Sequence, residues 1–236
     1  MIVLMTDFGQ SEYVGVMKGV IRSRTEAEIL DLTHQLFPQQ ITQAAWLLFK
    51  NFASFPKKTI FCVVVDPGVG SGRKAILVKT KNYSFIGPDN GVLWPAASKD
   101  GINAIYEIPI KEASKTFHGR DVFAPAAASL DKGTFKGKRI SEMQKRSFHQ
   151  KDREGIVVHV DHFGNVITTL HHSGKQSYEI KTETFHDVLP FHDNYASAQE
   201  GLFLIKGSGD TLEISMKEGN AQSIMTASIG QKIRIT

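Results

Sequence analysis

The sequence has little cysteine and no long apolar run, and each shortage excludes a class of protein. One cysteine among 236 residues excludes a disulfide framework and a zinc site built on cysteine ligands. No stretch approaches the roughly 20 apolar residues that a membrane helix needs. The apolar run after Met1 is too short for a signal peptide. We therefore expect a cytoplasmic protein that makes no membrane contact.

The remaining composition is typical of a folded globular protein. Hydrophobic residues make up 41% and charged residues 22% of the chain, which excludes a disordered polymer. The formal net charge of +4 is concentrated in residues 132–153, which carry eight lysines and arginines against Glu142 and Asp152. This basic belt could attract an anionic partner, but such stretches are more often solvated connections. No nucleic-acid motif accompanies it, so we expect an interdomain linker and no nucleic-acid partner.

Two different strand patterns flank the basic belt and predict two domains. Residues 1–131 alternate short apolar runs with stretches of helical spacing, which is typical of an α/β domain with a largely parallel sheet. Residues 154–236 contain six short strand-like runs separated by turns and no helical period, which predicts a smaller antiparallel, barrel-like β domain. The six runs are residues 155–160, 166–170, 178–182, 201–205, 211–215 and 231–235.

Three predicted strands of the first domain run into an acidic residue followed closely by glycine. The acidic residues are Asp7, Asp66 and Asp89. A single aspartate after a strand is more often a turn or helix-capping residue. However, ligands of open parallel sheets bind beyond the carboxyl ends of the strands. Three such loops at one edge therefore predict a ligand site.

The glycine-rich loop after Asp66 does not fit a phosphate-binding loop. Lys74 is followed by alanine instead of serine or threonine, and the loop leads into a strand instead of a helix. We interpret it as a tight turn that directs Asp66 and Arg73 to one place. His118 lies beside a glycine before a predicted helix and is a further candidate, although a lone histidine is more often structural.

A turn of the second domain, residues 161–165, combines an acid, an aromatic ring and an amide. By itself it predicts a hairpin turn, but these side chains also suit a nucleoside. Asp66, His118, Asp161 and His162 offer oxygen and nitrogen ligands, but no pair has the spacing of a metal site. We therefore predict no bound metal.

Six motifs in this order resemble the S-adenosyl-L-methionine (SAM) hydrolase (adenosine-forming) family, also called SAM hydroxide adenosyltransferases, relatives of the SAM-dependent fluorinase and chlorinase. The motifs are residues 5–9 (MTDFG), 31–34 (DLTH), 65–70 (VDPGVG), 87–91 (GPDNG), 116–125 (TFHGRDVFAP) and 161–165 (DHFGN). The resemblance implies hydrolysis of SAM by an activated water that attacks ribose C5′ in line, with SAM as substrate and without cofactor or metal. It also implies a homotrimer with active sites between subunits.

The resemblance further implies roles for single residues. It makes Asp66, Arg73 and His118 the catalytic residues. It assigns substrate binding to Asp7 (at the ribose), Phe8, Asp161, Phe163, Asn165, Tyr195, Ser208 and Ala221. One departure is Lys217, which stands where the family often has an asparagine.

The residue at position 66 helps to distinguish a hydrolase from a halogenase-like enzyme. The halide-using relatives carry tyrosine where this chain has Asp66, and a carboxylate there would repel a halide ion in a desolvated pocket. A hydrolase is therefore favoured over a halogenase-like enzyme. A non-catalytic module that binds SAM or a nucleoside is the other alternative.

Overall fold

A computed structural model describes the whole chain except His149, Asp152 and Gln199. The chain divides into two compact units, residues 1–147 and residues 148–236. Two belt positions of the sequence analysis, His149 and Asp152, lie outside the described residues. Within the described part of the chain, no helix has the length and apolarity that crossing a membrane requires.

The first unit is an α/β domain built on a seven-stranded sheet of order β2-β1-β3-β5-β4-β6-β7. The strands are β1 (Ile2–Thr6), β2 (Ile29–Thr33), β3 (Ile60–Val64), β4 (Ala75–Thr80), β5 (Ser84–Pro88), β6 (Ile102–Ile108) and β7 (Lys138–Ile140). The helices are α1 (Glu12–Arg22), α2 (Ile41–Asn51), α3 (Trp94–Asp100) and α4 (Ala124–Asp131). A 3₁₀ turn (Phe52–Ser54) follows α2, and a π-helical turn (Gly119–Phe123) leads into α4.

The strands β2, β1, β3 and β5 are parallel, which confirms the α/β prediction, whereas β4, β6 and β7 add antiparallel pairs. A short hairpin joins β4 to β5, and such connections permit only antiparallel pairing. Because β4 runs in the opposite direction, its first residue lies at the edge where β1, β3 and β5 end. The carboxyl ends of β2 and β6 lie at this edge too, so five loops of the domain, those after β1, β2, β3, β5 and β6, meet there.

The core of this domain lies on both faces of the sheet. All residues of β1 and β3 are buried, as their continuous apolar runs predict for central parallel strands. Helix α1 packs through Val14, Met17 and Ile21, which recur at helical spacing. Helix α4 contributes mainly alanines to the core, and small side chains allow it to approach the sheet closely.

Part of the basic belt belongs to the sheet of the first unit. Strand β7 pairs with β6, so that Ile140 lies opposite Ile105. The Gln144 N–H donates a hydrogen bond to Asp89 Oδ1 at 2.7 Å. From the charge pattern we expect a linker at residues 132–153, whereas the compact first unit extends to residue 147.

The second unit is a closed seven-stranded barrel of order β10-β11-β12-β13-β9-β8-β14, which confirms the predicted barrel. Its elements are β8 (Glu154–Val160), β9 (Val166–Thr168), β10 (Ser177–Lys181), β11 (His186–His192), β12 (Leu202–Lys206), β13 (Leu212–Met216), β14 (Lys232–Ile235) and the short helix α5 (Ala221–Met225). The sequence pattern predicts neither β11 nor α5. Strand β11 contains Asp187 and Pro190, which weaken a strand pattern, and it pairs in parallel with β12.

Candidate active site

Loops at the carboxyl edge of the first sheet enclose a cavity of about 390 Å³. Asp7 follows β1, Asp66 follows β3, and His118 precedes the π-helical turn. These three side chains and Phe8 line the cavity. Residues that are far apart in the sequence therefore meet, because the parallel strands and the reversed β4 deliver their loops to one edge.

Arg73 joins Asp66 to His118. Its Nε donates a hydrogen bond to Asp66 Oδ1 at 2.8 Å, and its Nη2 contacts Asp66 Oδ2. The same Nη2 lies 2.8 Å from His118 Nδ1. The paired side chains of Arg73 and Asp66 are only 10% and 6% exposed, and a buried pair with two contacts holds its geometry firmly. The ring of Phe123 lies 5.3 Å from the guanidinium carbon.

Glycines allow the loop between Asp66 and Arg73 to turn back on itself. The Val69 N–H donates a hydrogen bond to the Asp66 carbonyl at 3.2 Å, and the Ser71 N–H donates one to the Gly68 carbonyl. Gly70 has a φ of +75°, and a Cβ there would collide with the backbone of the loop before His118. Glycine is the residue that tolerates this φ. The loop thus acts as a tight turn and not as a phosphate cradle.

The hydrogen bond from Arg73 fixes the proton of the His118 ring. Arginine only donates, so His118 Nδ1 must accept, and a neutral ring then carries its proton on Nε2. Burial lowers the pKa of His118, and the positive charge of Arg73 lowers it further, while Asp66 and Asp121 act in the opposite direction. His118 is therefore neutral at pH 7 and is a hydrogen-bond donor through Nε2.

Asp7 is a second carboxylate of the cavity. Its Oδ2 accepts a hydrogen bond from the Gln39 N–H at 2.7 Å. Burial raises the pKa of Asp7, the hydrogen bond from Gln39 opposes this, and the negative charge of Asp66 adds to the increase. Because Arg73 compensates the charge of Asp66, Asp7 supplies the excess negative charge of the cavity, which favours a cationic ligand.

The motif of residues 31–34 supports the loop that follows β1. Thr6 Oγ1 lies 2.9 Å from His34 Nδ1, and His34 Nε2 lies 3.0 Å from Asp31 Oδ1. Thr6 Oγ1 also accepts a hydrogen bond from the Phe8 N–H at 3.2 Å, and the His34 carbonyl accepts one from the Gly9 N–H at 2.8 Å. These contacts fix the backbone on both sides of Asp7, the residue that we expect to bind the ribose.

An aromatic wall borders the same cavity. The ring of Tyr13 lies edge-to-face against Phe8 at 5.8 Å and against Phe117 at 4.9 Å. The sequence analysis does not assign Tyr13, Phe117 or Gln39 to the site. Phe117 precedes His118 directly, and this adjacency is the one signal in the sequence that could have indicated it.

The second unit has its own cavity, of about 730 Å³, beside the turn at residues 161–165. Asp161 Oδ1 accepts hydrogen bonds from Phe163 N–H and Asn165 N–H, each at 2.9 Å, and Asp161 Oδ2 accepts one from Asn165 Nδ2 at 2.9 Å. Asp161 thus organises the turn. The Phe163 ring is 74% exposed, and Tyr195 also lines the cavity. Both aromatic faces are accessible to a planar ligand.

An asparagine that the sequence analysis does not assign lies against this turn. Gly164 has a φ of +83°, and a Cβ there would collide with the Asn220 side chain. Asn220 Oδ1 accepts the Ser223 N–H at 2.8 Å at the start of α5. Asn220 and Lys217 both line the cavity. Lys217 stands where the family often has an asparagine, and Asn220, three residues later, places an asparagine in the same cavity.

Two further predicted substrate-binding residues, Ser208 and Ala221, are not among the side chains that line this cavity. Ser208 lies in the exposed turn before β13, whereas the cavity is bordered by Met216 at the other end of that strand. At about 3.3 Å per residue these ends are roughly 13 Å apart. The side chain of Ala221 is 1% exposed and belongs to the barrel core. The structure therefore does not bring the Ser208 side chain to the turn at residues 161–165.

Comparison with known proteins shows to which family this chain belongs. The SAM hydroxide adenosyltransferase N-terminal domain matches residues 2–141, and the C-terminal domain of the same family matches residues 155–234. This chain belongs to that family. The family predicted from the sequence motifs is thereby confirmed.

Individual relatives agree with this placement. A protein of Methanocaldococcus jannaschii named (R)-S-adenosyl-L-methionine hydrolase is 40% identical over 179 residues, which are 72% of this chain and 66% of that protein. A protein of the same name from Thermus thermophilus is 31% identical over 98% of this chain and 97% of its own. A fluorinase of Nocardia brasiliensis is 25% identical over 80% of this chain and 79% of its own.

A solved structure supports the same fold. The crystal structure of an uncharacterized conserved protein from Thermotoga maritima superimposes with a TM-score of 0.91 at 34% identity, over 100% of both chains. The predicted enzymatic activity, hydrolysis of SAM, agrees with the names of the hydrolase relatives.

Proposed function

We propose that this protein hydrolyses SAM to adenosine and L-methionine. The observation that carries the proposal is the connected group of Asp66, Arg73 and His118 at a cavity that also holds Asp7. The C5′–S bond of a sulfonium breaks with its electron pair on sulfur, which leaves as a neutral thioether and needs no general acid. The reaction instead requires a positioned water and a group that accepts its proton.

We propose different parts for Asp66 and His118. His118 donates through Nε2 and accepts from Arg73 through Nδ1, so it can orient a water but has no free lone pair to take a proton. The Asp66 carboxylate keeps lone pairs beyond those used by Arg73. In this scheme the water attacks C5′ while Asp66 takes its proton, and Arg73 holds the carboxylate in place as a positioning residue.

The charge of the cavity suits this substrate. Asp7 and Asp66 both line it. Arg73 compensates the charge of Asp66, so the second carboxylate, Asp7, leaves the cavity negative, which attracts the sulfonium cation of SAM and repels a halide ion. Asp7 has the two oxygens needed to bind the two ribose hydroxyls. The relatives named (R)-S-adenosyl-L-methionine hydrolase lead us to propose the (R) epimer at sulfur as the preferred substrate.

The decisive experiment incubates the purified protein separately with the (R) and (S) epimers of SAM and measures the products by chromatography. We expect adenosine and methionine, faster release from the (R) epimer, and no change when a chelator is added. Parallel reactions with chloride and fluoride should give no halogenated nucleoside; its formation would instead identify a halogenase. Binding of SAM without product over a long incubation would identify a non-catalytic module.

Substrate binding by the second domain is a further part of the proposal. Phe163 and Tyr195 offer exposed aromatic faces for adenine, and Asp161 and Asn165 form the adjoining polar turn. With the homotrimer that the family resemblance implies, the second domain of one subunit would complete the site of its neighbour. The cytoplasmic location also stays a prediction.

Subunit mixing tests this assembly. An Asp66→Asn subunit supplies an intact second domain, and a Phe163→Ala subunit supplies an intact first domain. Unfolding and refolding the two variants together should restore part of the activity, since mixed trimers contain some complete sites. Light scattering should give three times the mass of the chain. A monomeric mass, or mixtures no more active than the average of the two variants, would contradict the shared site.

A further inference from the structure

The loop of residues 87–91, which begins with the last two residues of β5, lines neither of the two cavities described above. It nevertheless binds the backbone next to both members of the Asp66–Arg73 pair. Asp89 in this loop is one of the three aspartates that follow predicted strands, but the mechanism proposed above does not use it. Its contacts show what it can contribute.

Asn90 holds the strand end that carries Asp66. Its Nδ2 donates a hydrogen bond to the Val65 carbonyl at 2.9 Å, and Val65 directly precedes Asp66. Its Oδ1 accepts the Val92 N–H at 3.1 Å, so both ends of the amide are fixed. Val65 lies just beyond the last residue of β3. Its carbonyl therefore accepts a hydrogen bond from the Asn90 side chain, whereas carbonyls within the strand accept theirs from neighbouring strands.

The same loop holds the backbone beside Arg73. The Asp89 N–H donates to the Lys74 carbonyl at 2.9 Å. Arg73 Nη1 lies 3.3 Å from that same oxygen. One loop therefore binds the backbone next to the carboxylate on one side and next to the guanidinium on the other.

The loop is itself braced on two sides. A Cβ on Gly87 would lie 2.5 Å from the Val63 carbonyl, so the end of β5 approaches β3 more closely than any larger residue allows. The Asp89 carboxylate accepts the Gln144 N–H from the basic belt at 2.7 Å. Gly91, with a φ of +88°, packs against Arg146 of the same belt. The brace thus extends from the sheet to the belt.

We infer that Asn90 is a positioning residue that keeps the Asp66 carboxylate in register with Arg73 for the chemical step. This inference rests on the proposed hydrolysis of SAM. Since Asn90 lines neither cavity, its loss should lower kcat and leave KM nearly unchanged. A misplacement of about 1 Å in a positioned group costs on the order of a hundredfold in rate, so we expect kcat to fall at least tenfold.

The test compares Asn90→Ala with Asn82→Ala. Asn82 precedes β5 and donates through Nδ2 to Asp100 Oδ1 at 2.7 Å, so the control loses a comparable hydrogen bond at the opposite end of the same strand. We expect similar losses in Tm for the two variants, a loss of kcat in Asn90→Ala alone, and a KM within about twofold of the original value in both. Equal activity losses in both variants, or full kcat in a folded Asn90→Ala, would overturn the inference.

A milder variant covers the case in which Asn90→Ala does not fold. In Asn90→Ser the hydroxyl can still accept the Val92 N–H, as serine does in comparable turns, but it is too short to reach the Val65 carbonyl. We expect this variant to fold and still to lose kcat. Retention of full kcat by Asn90→Ser would show that the contact to Val65 is only structural.

A second readout separates this inference from the proposed function. The His118 ring is observed by NMR during a pH titration, with Arg73, Asp66 and Asp121 as the charged groups that face it. If Asn90→Ala displaces Arg73, the positive charge that lowers the pKa of His118 moves away, and this pKa rises toward its ordinary value. If the original protein does not hydrolyse SAM, the proposed function fails, but this titration still decides whether Asn90 positions the pair; an unchanged titration would refute it.

Discussion

Replacement of Asp66 by asparagine tests the role of the carboxylate with little change in shape. The variant loses the group that we propose accepts the proton of water. It also leaves Arg73 without its ionic partner at a side chain that is 10% exposed. The substitution should therefore affect both the chemical step and the stability of the first domain.

The expected losses of stability and of rate in Asp66→Asn follow from the burial and the contacts of this side chain. Removal of one partner from a buried ion pair costs about 3–5 kcal/mol, and asparagine can still accept one hydrogen bond, so we expect about 3 kcal/mol. At roughly 2–4 °C per kcal/mol this lowers Tm by about 6–12 °C. Loss of a general base costs about 10²- to 10⁴-fold in rate, so kcat should fall at least a hundredfold.

Single-turnover formation of adenosine measures the chemical step, and scanning calorimetry measures Tm. Asp100→Asn is the matched control, because the Asp100 carboxylate accepts hydrogen bonds from Thr80 and Asn82 at the opposite edge of the sheet. The control should also be destabilised but should keep its kcat. SAM should still bind to Asp66→Asn, since Asp7 and the aromatic wall remain.

Two results would refute this reasoning. If Asp66→Asn keeps more than a tenth of the original kcat at neutral pH, the carboxylate is not the proton acceptor. If Tm does not change, Arg73 and Asp66 do not form the buried pair that the structure contains.

Three further predictions concern the neighbouring residues. Arg73→Lys keeps the charge but not the fork that binds Asp66 and His118 together, so kcat should fall at least tenfold in steady-state assays while SAM still binds; unchanged kcat would contradict the bridging role. Because the pKa of Asp7 is raised, the folded protein loses stability as the pH rises through the interval between the ordinary and the raised value. Asp7→Asn should therefore unfold at a higher temperature than the original protein at pH 7 but not below pH 3.8, and it should bind SAM more weakly. An equal gain in unfolding temperature at both pH values would argue against this linkage. Phe163 is 74% exposed, so Phe163→Ala should change the free energy of unfolding by less than about 0.5 kcal/mol but raise KM for SAM about tenfold through lost stacking; an unchanged KM would remove this ring from the substrate site.

The sequence predicts the pieces of this site better than their connections. Local patterns indicate the strand that ends before Asp66 and the turn at residues 161–165, because strand period and turn chemistry are properties of neighbouring residues. The hydrogen bond between Arg73 and His118 joins residues 45 positions apart. No local pattern encodes that distance; the resemblance to a family predicted the grouping, and the structure provides its geometry.

Elements that were not predicted depend on partners distant in the chain. Strand β11 has a weak strand pattern and forms because the closed barrel pairs it on both sides with β10 and β12. Strand β7 lies in a stretch whose charge is typical of a linker, yet Ile140 pairs with Ile105 at the sheet edge. Asn220 becomes part of the second cavity only because Gly164 leaves room for its side chain.

By itself the sequence determines two domains of different strand pattern, the family motifs and the aspartates that end the parallel strands. The tertiary structure decides which of those residues meet. Reversal of β4 brings Arg73 to the edge where Asp66 and His118 lie, and β13 separates Ser208 from the turn at residues 161–165. The physical reason is that secondary structure follows from spacing along the chain, whereas strand order and direction follow from burial shared by distant segments.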